Sequence, residues 1–340
     1  MKKILLLGFL SFIILSCNNN KKQEENKTIN TDYTALQKTA LSIFGTLPKV
    51  AENAANPLSD EKVLLGKKLY FDNRLSKDNT QSCNTCHNLA TYGVDNLSTS
   101  PGNDGGFGTR NSPTVLNAAF HVAQFWDGRE PDVEAQAGGP MLNPVEMAMP
   151  SEKVVIERLS KIDEYKKLFA AAFPNDVQPI SFTNIKNAIG IFERTLITPS
   201  KFDEFTAGNL DALSTIEKEG LQLFIDKGCI ACHSGKVLGG NIYQKFGIYD
   251  DYWKHTKSSI IDEGRFQVTK NESDKYIFKS PSLRNIEKTY PYFHDGSVKD
   301  LKEAVKIMGK IQLNKDLTEN ELNAMVAFLN SLTGEMPKTI

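Results

Sequence analysis

A chain of 340 residues, 40% apolar and with a formal net charge of −1, is long enough for two domains with separate cores. Its charge balance excludes a basic nucleic-acid-binding surface, and long-range steering of a charged partner should be weak unless charge is patchy. All five cysteines fall within the motifs described below.

Lys2 and Lys3 precede an apolar run over residues 4–15, too short to span a bilayer but suited to a signal-peptide core. The run ends Ile14-Leu15-Ser16-Cys17, which resembles the lipobox of bacterial lipoproteins. Residues 1–17 are therefore expected to be a signal peptide, with Cys17 lipid-anchored to a bacterial membrane and facing the periplasm. The plainer alternative is a secretory signal with an incidental cysteine. Residues 18–32 are polar and without apolar period, as in a flexible tether. Acyl chains at about 0.8 kcal/mol per buried CH₂ would hold such a protein on a membrane surface.

Globular sequence begins near Tyr33. Leu64, Leu65, Leu69 and Tyr70 sit at helical spacing just before Cys83-Asn84-Thr85-Cys86-His87. A helix is expected to start at Thr183, carrying Ile185, Ile189 and Phe192 on one face. Ser214 and Glu217 form a capping box ahead of the second motif, Cys229-Ile230-Ala231-Cys232-His233. Residues 297–308 read as a helix stopped by Gly309, and Thr318 with Glu321 caps a closing helix. Period-2 alternation is scarce, so the fold is expected to be mostly α, with long loops around cofactors.

Two cysteines three apart can each form a thioether to a haem vinyl group, and the following histidine can ligate the iron from beneath. A redox dithiol or a zinc site built from two cysteine pairs is the competing reading, but neither demands a histidine directly after both pairs. The motifs predict two covalently bound haem c groups, with Cys83, Cys86 and His87 on the first and Cys229, Cys232 and His233 on the second.

The repeat extends further. Ser112-Pro113-Thr114-Val115-Leu116-Asn117 matches Ser280-Pro281-Ser282-Leu283-Arg284-Asn285, and Phe125-Trp126-Asp127-Gly128 matches Phe293-His294-Asp295-Gly296, at a constant offset of 168 (280 − 112; 294 − 126). This predicts two tandem cytochrome c-like haem domains, 33–200 and 201–340.

The copies differ where function would differ. Met308, 75 residues after His233 (308 − 233), is placed to fold back as sixth iron ligand, which raises the potential and suits electron transfer. The rival, Met325, lies on an apolar helical stripe. The offset carries Met308 back to Pro140, which cannot ligate, and Gly138-Gly139-Pro140 is expected to break any helix there. The first iron is thus expected to keep an open position. After Pro140 comes a loop with one acid, Glu146, in apolar surroundings, where burial would bring its pKa towards proton-shuttling values. Met147 or Met149 could instead ligate the first iron, giving the alternative reading of a non-enzymatic dihaem electron-transfer cytochrome.

Gln124-Phe125-Trp126-Asp127-Gly128-Arg129, Glu134-Ala135-Gln136-Ala137-Gly138-Gly139-Pro140, Val145-Glu146-Met147, Phe278-Lys279-Ser280-Pro281-Ser282-Leu283-Arg284-Asn285 and Pro291-Tyr292-Phe293-His294-Asp295-Gly296 together resemble the bacterial dihaem cytochrome c peroxidases. The similarity runs from about Ala51 to Leu332, and Met308 favours the peroxidases over the related family that oxidises tryptophans on a partner protein. The resemblance implies a cytochrome c peroxidase that reduces hydrogen peroxide to water with electrons from a small cytochrome c or cupredoxin, and that forms a homodimer. It implies that His87 holds the peroxidatic iron and that Gln136 and Glu146 line its distal pocket. His233 and Met308 would hold the electron-transfer iron, with Trp126 between the haems. It also implies a calcium ion held by Asn111 and the carbonyls of Thr289 and Pro291. His121 and His255 receive no role. One departure stands out: residues 88–110 contain no histidine, whereas many family members place one in this loop to ligate the first iron when both haems are ferric.

Overall fold

The computed structural model describes residues 32–338. The expected signal peptide, Cys17 and the tether up to residue 31 lie outside the described residues. Among the described residues, no helix is long and apolar enough to cross a membrane.

Helix α1 (Thr34–Phe44) is followed by α2 (Asp60–Tyr70) and α3 (Cys83–Cys86). Then come α4 (Val133–Leu142), α5 (Glu152–Ser160), α6 (Asp163–Ala172), α7 (Phe182–Glu193), α8 (Lys201–Thr206) and α9 (Thr215–Asp226). The remainder is β1 (Tyr243–Lys245), α10 (Tyr252–Thr256), α11 (Phe266–Thr269), β2 (Ile277–Lys279), α12 (Leu301–Leu313) and α13 (Glu319–Asn330). The two strands pair antiparallel, Tyr243 opposite Lys279. The fold is mostly helical, as expected, and both capping boxes form, Ser214 with Glu217 and Thr318 with Glu321.

Two apolar cores carry the two haem motifs. Leu65, Leu69, Tyr70, Met141, Phe169, Ile185, Ile189 and Phe192 join α2, α4, α6 and α7 in the first. Phe202, Phe205, Leu221, Phe224, Phe328 and Leu329 join α8, α9 and α13 in the second. Each is built on one close helix contact. A Cβ on Gly66 of α2 would stand 1.9 Å from the Ala188 carbonyl oxygen of α7, and one on Gly220 of α9 would stand 1.9 Å from that of Ala324 in α13. The helix entering each haem motif therefore lies backbone-close to a later helix, and only glycine permits that approach.

Several local expectations are corrected. Helix α7 begins at Phe182 rather than Thr183, because the Ser181 side chain accepts from the Asn184 amide and takes the cap. Helix α4 runs through Pro140 instead of breaking there. The Asp132 cap and a buried ion pair to α7 hold it, and proline so near the end removes only one bond of the ladder. Helix α12 starts at Leu301, capped by Asp300, and passes through Gly309 to end at Leu313, with Asn314 as its C-terminal cap. Met308 is therefore inside a helix rather than at its end. A Cβ on Gly309 would come within 3.0 Å of Leu317, so this glycine admits the returning chain rather than stopping the helix. Finally, α1 puts Leu36, Ala40 and Phe44 into the second core, although it precedes the first haem motif.

Candidate haem sites and the seam between them

The first motif forms α3, and the second a short 3-10 turn, Cys229–Ala231. His87 directs Nδ1 to the Pro113 carbonyl at 2.9 Å, and His233 directs Nδ1 to the Leu238 carbonyl at 3.2 Å. Such bonds fix the tautomer and leave Nε2 as the nitrogen able to ligate a metal. Burial holds both imidazoles below their ordinary pKa, His233 at about 4, so both are neutral and able to ligate. The Pro281 carbonyl also lies against His233. The Ser-Pro of each repeat thus supplies a carbonyl behind its haem histidine. Tyr70 adds a hydroxyl donor to the His87 carbonyl at 2.5 Å.

The four motif cysteines are free, and burial pushes their thiols up, Cys86 and Cys229 to about 11. A reactive dithiol requires the opposite shift. Among the described residues, no set of three or more His, Cys, Asp or Glu side chains converges as a metal cluster. Neutral imidazoles held from behind, beside paired thiols in apolar cores, fit haem c.

The two lobes meet through residues related by the offset of 168. The Asn111 amide donates to the His294 carbonyl at 2.7 Å, and the Lys279 amide donates to the Trp126 carbonyl at 2.8 Å. These four residues are two repeat pairs (279 − 111 and 294 − 126), so the bonds are reciprocal. Trp126 and His294 also touch, with centroids 6.4 Å apart and rings nearly perpendicular. The Trp126 Nε1 donates to the Asn111 carbonyl at 2.9 Å. Asn117 and Asn285 both donate to the buried Thr198 hydroxyl, at 2.8 and 2.9 Å. The repeated asparagine is therefore a joint between lobes.

On the first lobe, α4 carries Gln136, half-buried, one turn before Pro140. The chain after α4 folds back on that turn: the Met147 amide donates to the Pro140 carbonyl at 3.1 Å and that of Met149 to Met141 at 2.8 Å. This brings the Glu146 loop to the end of the helix that bears Gln136. Burial raises the Glu146 pKa, against the pull of Arg129 and Asn143, and its charge reaches the Cys86 thiol. Met147 and Met149 are buried in the first core.

The histidine-free loop closes over the Glu146 segment. Asn103 donates its amide to the Glu146 carbonyl at 2.6 Å, and its side chain bonds Asp78 and Thr80. A Cβ on Gly102 would stand 2.0 Å from the Val145 carbonyl oxygen. The remaining imidazoles are otherwise engaged: His255 bonds Asp250 at 2.8 Å, His121 lies against Gly240 and Lys279, and His294 stacks on Phe278 at 4.3 Å.

Sequence reasoning missed two features. Glu134, buried, accepts from Arg194 Nε and Nη2 at 2.7 Å each, and so ties α4 to the end of α7. Next to Arg194, burial and the charge of Glu134 raise Glu193 to about 8, with Tyr70 and Cys83 in range of its charge. An acid four residues after Ile189 lies on the buried stripe of α7, and that was the available signal.

Met308 is half-buried on α12, while Met325 is buried on α13. The Asn111 side-chain amide donates to the Leu97 carbonyl at 2.9 Å, and the side chain of Asn96 donates to the carbonyls of Lys288 and Tyr290 at 3.2 and 2.8 Å. One loop thereby tethers both Asn111 and the turn that carries Thr289 and Pro291.

Comparison with known proteins agrees with this architecture. A family model of di-haem cytochrome c peroxidase matches residues 60–211, and one of cytochrome c matches 217–333. The chain is 47% identical to the cytochrome c551 peroxidase of Pseudomonas aeruginosa, over 89% of this chain and 88% of that protein. It is 46% identical to that of Nitrosomonas europaea, over 84% and 83%. A solved MauG-like protein associated with microbial copper homeostasis superposes with a TM-score of 0.76 at 29% identity, covering 85% of this chain and 94% of the other. With two haem motifs on two cores, joined by a repeat-related seam, the chain belongs to the dihaem cytochrome c peroxidase family.

Proposed function

We propose that this protein reduces hydrogen peroxide to water at the first haem, with electrons entering through the second. The observation that carries this reading is the asymmetry of the copies. Pro140 stands at the repeat mate of Met308, and the loop after it presents Glu146, an acid whose pKa burial raises, beside the first haem motif. Bound haem supplies the redox chemistry and the site of O–O cleavage. Two electrons and two protons then convert one peroxide into two waters. His87 would hold the first haem, its ring fixed by the bond to Pro113. Glu146 takes the proton from the peroxide oxygen nearer the iron and delivers it to the far oxygen, while Gln136 steadies the bound peroxide with its amide. Trp126, seated in the seam with Asn111 and His294, would relay electrons between the two haems, a role that its place where the lobes meet supports. Met308 and His233 would together hold the second haem iron, thioether ligation raising its potential.

A calcium ion would take the Asn111 side-chain oxygen and the Thr289 and Pro291 carbonyls, hard oxygen donors that suit this cation. The tethering through Asn96 and Asn111 supports that placement. A small cytochrome c or cupredoxin is the electron donor, and the protein is a homodimer by its family resemblance. Cys17 anchors it by lipid to a membrane on the periplasmic side, a reading carried by the N-terminal sequence alone.

Steady-state peroxide reduction by wild type and Glu146→Gln tests the core of this reading. The variant should lose about 10²–10⁴-fold in turnover, the usual worth of a general acid-base, with both haems attached and spectrally normal. More than half of wild-type activity would remove Glu146 from the mechanism.

A further inference from the structure

Lys279 is a buried ammonium without an acid. It is 6% exposed, and its Nζ lies 3.2 Å from His121 Nδ1, another nitrogen. Among the described residues no carboxylate pairs with it, and burial alone brings it down to about 8. His121 Nε2 is likewise buried without a hydrogen-bond partner. An unpaired ionic group in a protein interior is strongly disfavoured, so this pair of bases is shaped for an anion that the polypeptide does not supply.

The position of the pair identifies that anion. Lys279 ends β2, and the next residue, Ser280, donates its hydroxyl to the Cys232 carbonyl at 2.9 Å. The His121 ring lies against Gly240, where a Cβ would stand 2.3 Å from its Cδ2. The adjacent Gly239 faces the His233 ring, with a Cβ there 3.2 Å from Nδ1. Both bases therefore border the loop that closes the second haem site, and the anionic groups a haem carries are its propionates. Lys279 is also the repeat mate of Asn111, and the reciprocal amide bonds to Trp126 and His294 put the two residues at matching places on the seam. One side bears an amide suited to a metal cation, and the other carries its cation in the chain itself.

We propose that Lys279, with His121, pairs a propionate of the second haem and raises that haem's reduction potential, an inference that rests on the reading of two bound haems. A cation beside the haem favours the ferrous form, which carries one positive charge fewer than the ferric. Lys279 is thus a positioning and tuning residue on the electron-entry side.

The test compares wild type, Lys279→Met and Lys279→Arg as holoproteins, by spectroelectrochemical titration and by the propionate bending mode in resonance Raman spectra. Lys279→Met should lower the ferrous-to-ferric ratio of the second haem about tenfold at a fixed potential, or about 59 mV for one electron, and move the propionate mode. Lys279→Arg should keep both near wild type. Should the methionine variant fail to assemble, Lys279→Asn, which installs the residue of the repeat mate, should show the same fall. Wild-type potential and propionate mode in the neutral variants, or a fall confined to the first haem, would overturn the proposal. A pyridine haemochrome count of two haems per chain checks the underlying reading separately.

Discussion

Replacing Arg194 by methionine should uncouple α4 from α7. The Arg194 side chain holds Glu134 through two 2.7 Å bonds, with 8% and 9% of the two side chains exposed, and also reaches the Ala51 carbonyl at 3.2 Å. Methionine keeps much of the volume but leaves Glu134 a buried carboxylate with only the Asn56 and Asn53 amides, at 3.0 and 3.3 Å. Removing one partner of a buried pair costs about 3–5 kcal/mol. The retained amides argue for the lower end, about 3 kcal/mol, measured by denaturant unfolding followed by circular dichroism. Because the stranded charge causes most of the loss, Glu134→Gln added to Arg194→Met should restore part of it. Turnover should fall in the single variant as well, since α4 carries Gln136 and anchors the Glu146 loop. A single variant within about 1 kcal/mol of wild type, or a double variant no more stable than the single, would refute this account.

Met308→His should lower the potential of one haem and leave the other unchanged, because imidazole favours ferric iron more than thioether does. Wild-type potentials at both haems would exclude Met308 as a ligand. In the all-ferric protein, electron paramagnetic resonance should show one high-spin haem, since the loop over Glu146 lacks histidine and His121, His255 and His294 are held elsewhere; two low-spin haems would contradict it. Acid should destabilise the fold. Burial alone would raise Asp72, Glu134 and Asp262, but hydrogen bonds from Arg74 and Tyr165, from Arg194 and Asn56, and from Arg110 outweigh it and hold all three below ordinary values. Their stabilisation is present above the unfolded-state pKa of about 4 and is lost as pH falls through the lower folded values. Equal urea midpoints at about pH 7 and about pH 3 would exclude that contribution.

The haem motifs, the repeat and both capping boxes were legible because each is a local pattern with one chemical meaning. Helix ends were less so. Pro140 and Gly309 are helix breakers by local propensity, yet α4 is held by an ion pair 60 residues away, and Gly309 is small to admit Leu317. Helix α1 joins the second core across the whole first motif, a pairing that periodicity cannot express. The seam was half visible: the offset paired Trp126 with His294, but only the fold shows Asn111 bonding His294 while its own mate Lys279 bonds Trp126. Lys279 itself reads in sequence as an ordinary lysine, since its burial depends on strands and loops from both lobes.

The central claim is that one haem performs chemistry while the other passes electrons. Mixing half-reduced protein with one equivalent of hydrogen peroxide, followed by rapid-scan absorbance, tests it most directly. The account predicts rapid oxidation of the second haem and loss of the peroxide. A second haem that stays ferrous, with unchanged spectra at both haems, would contradict it.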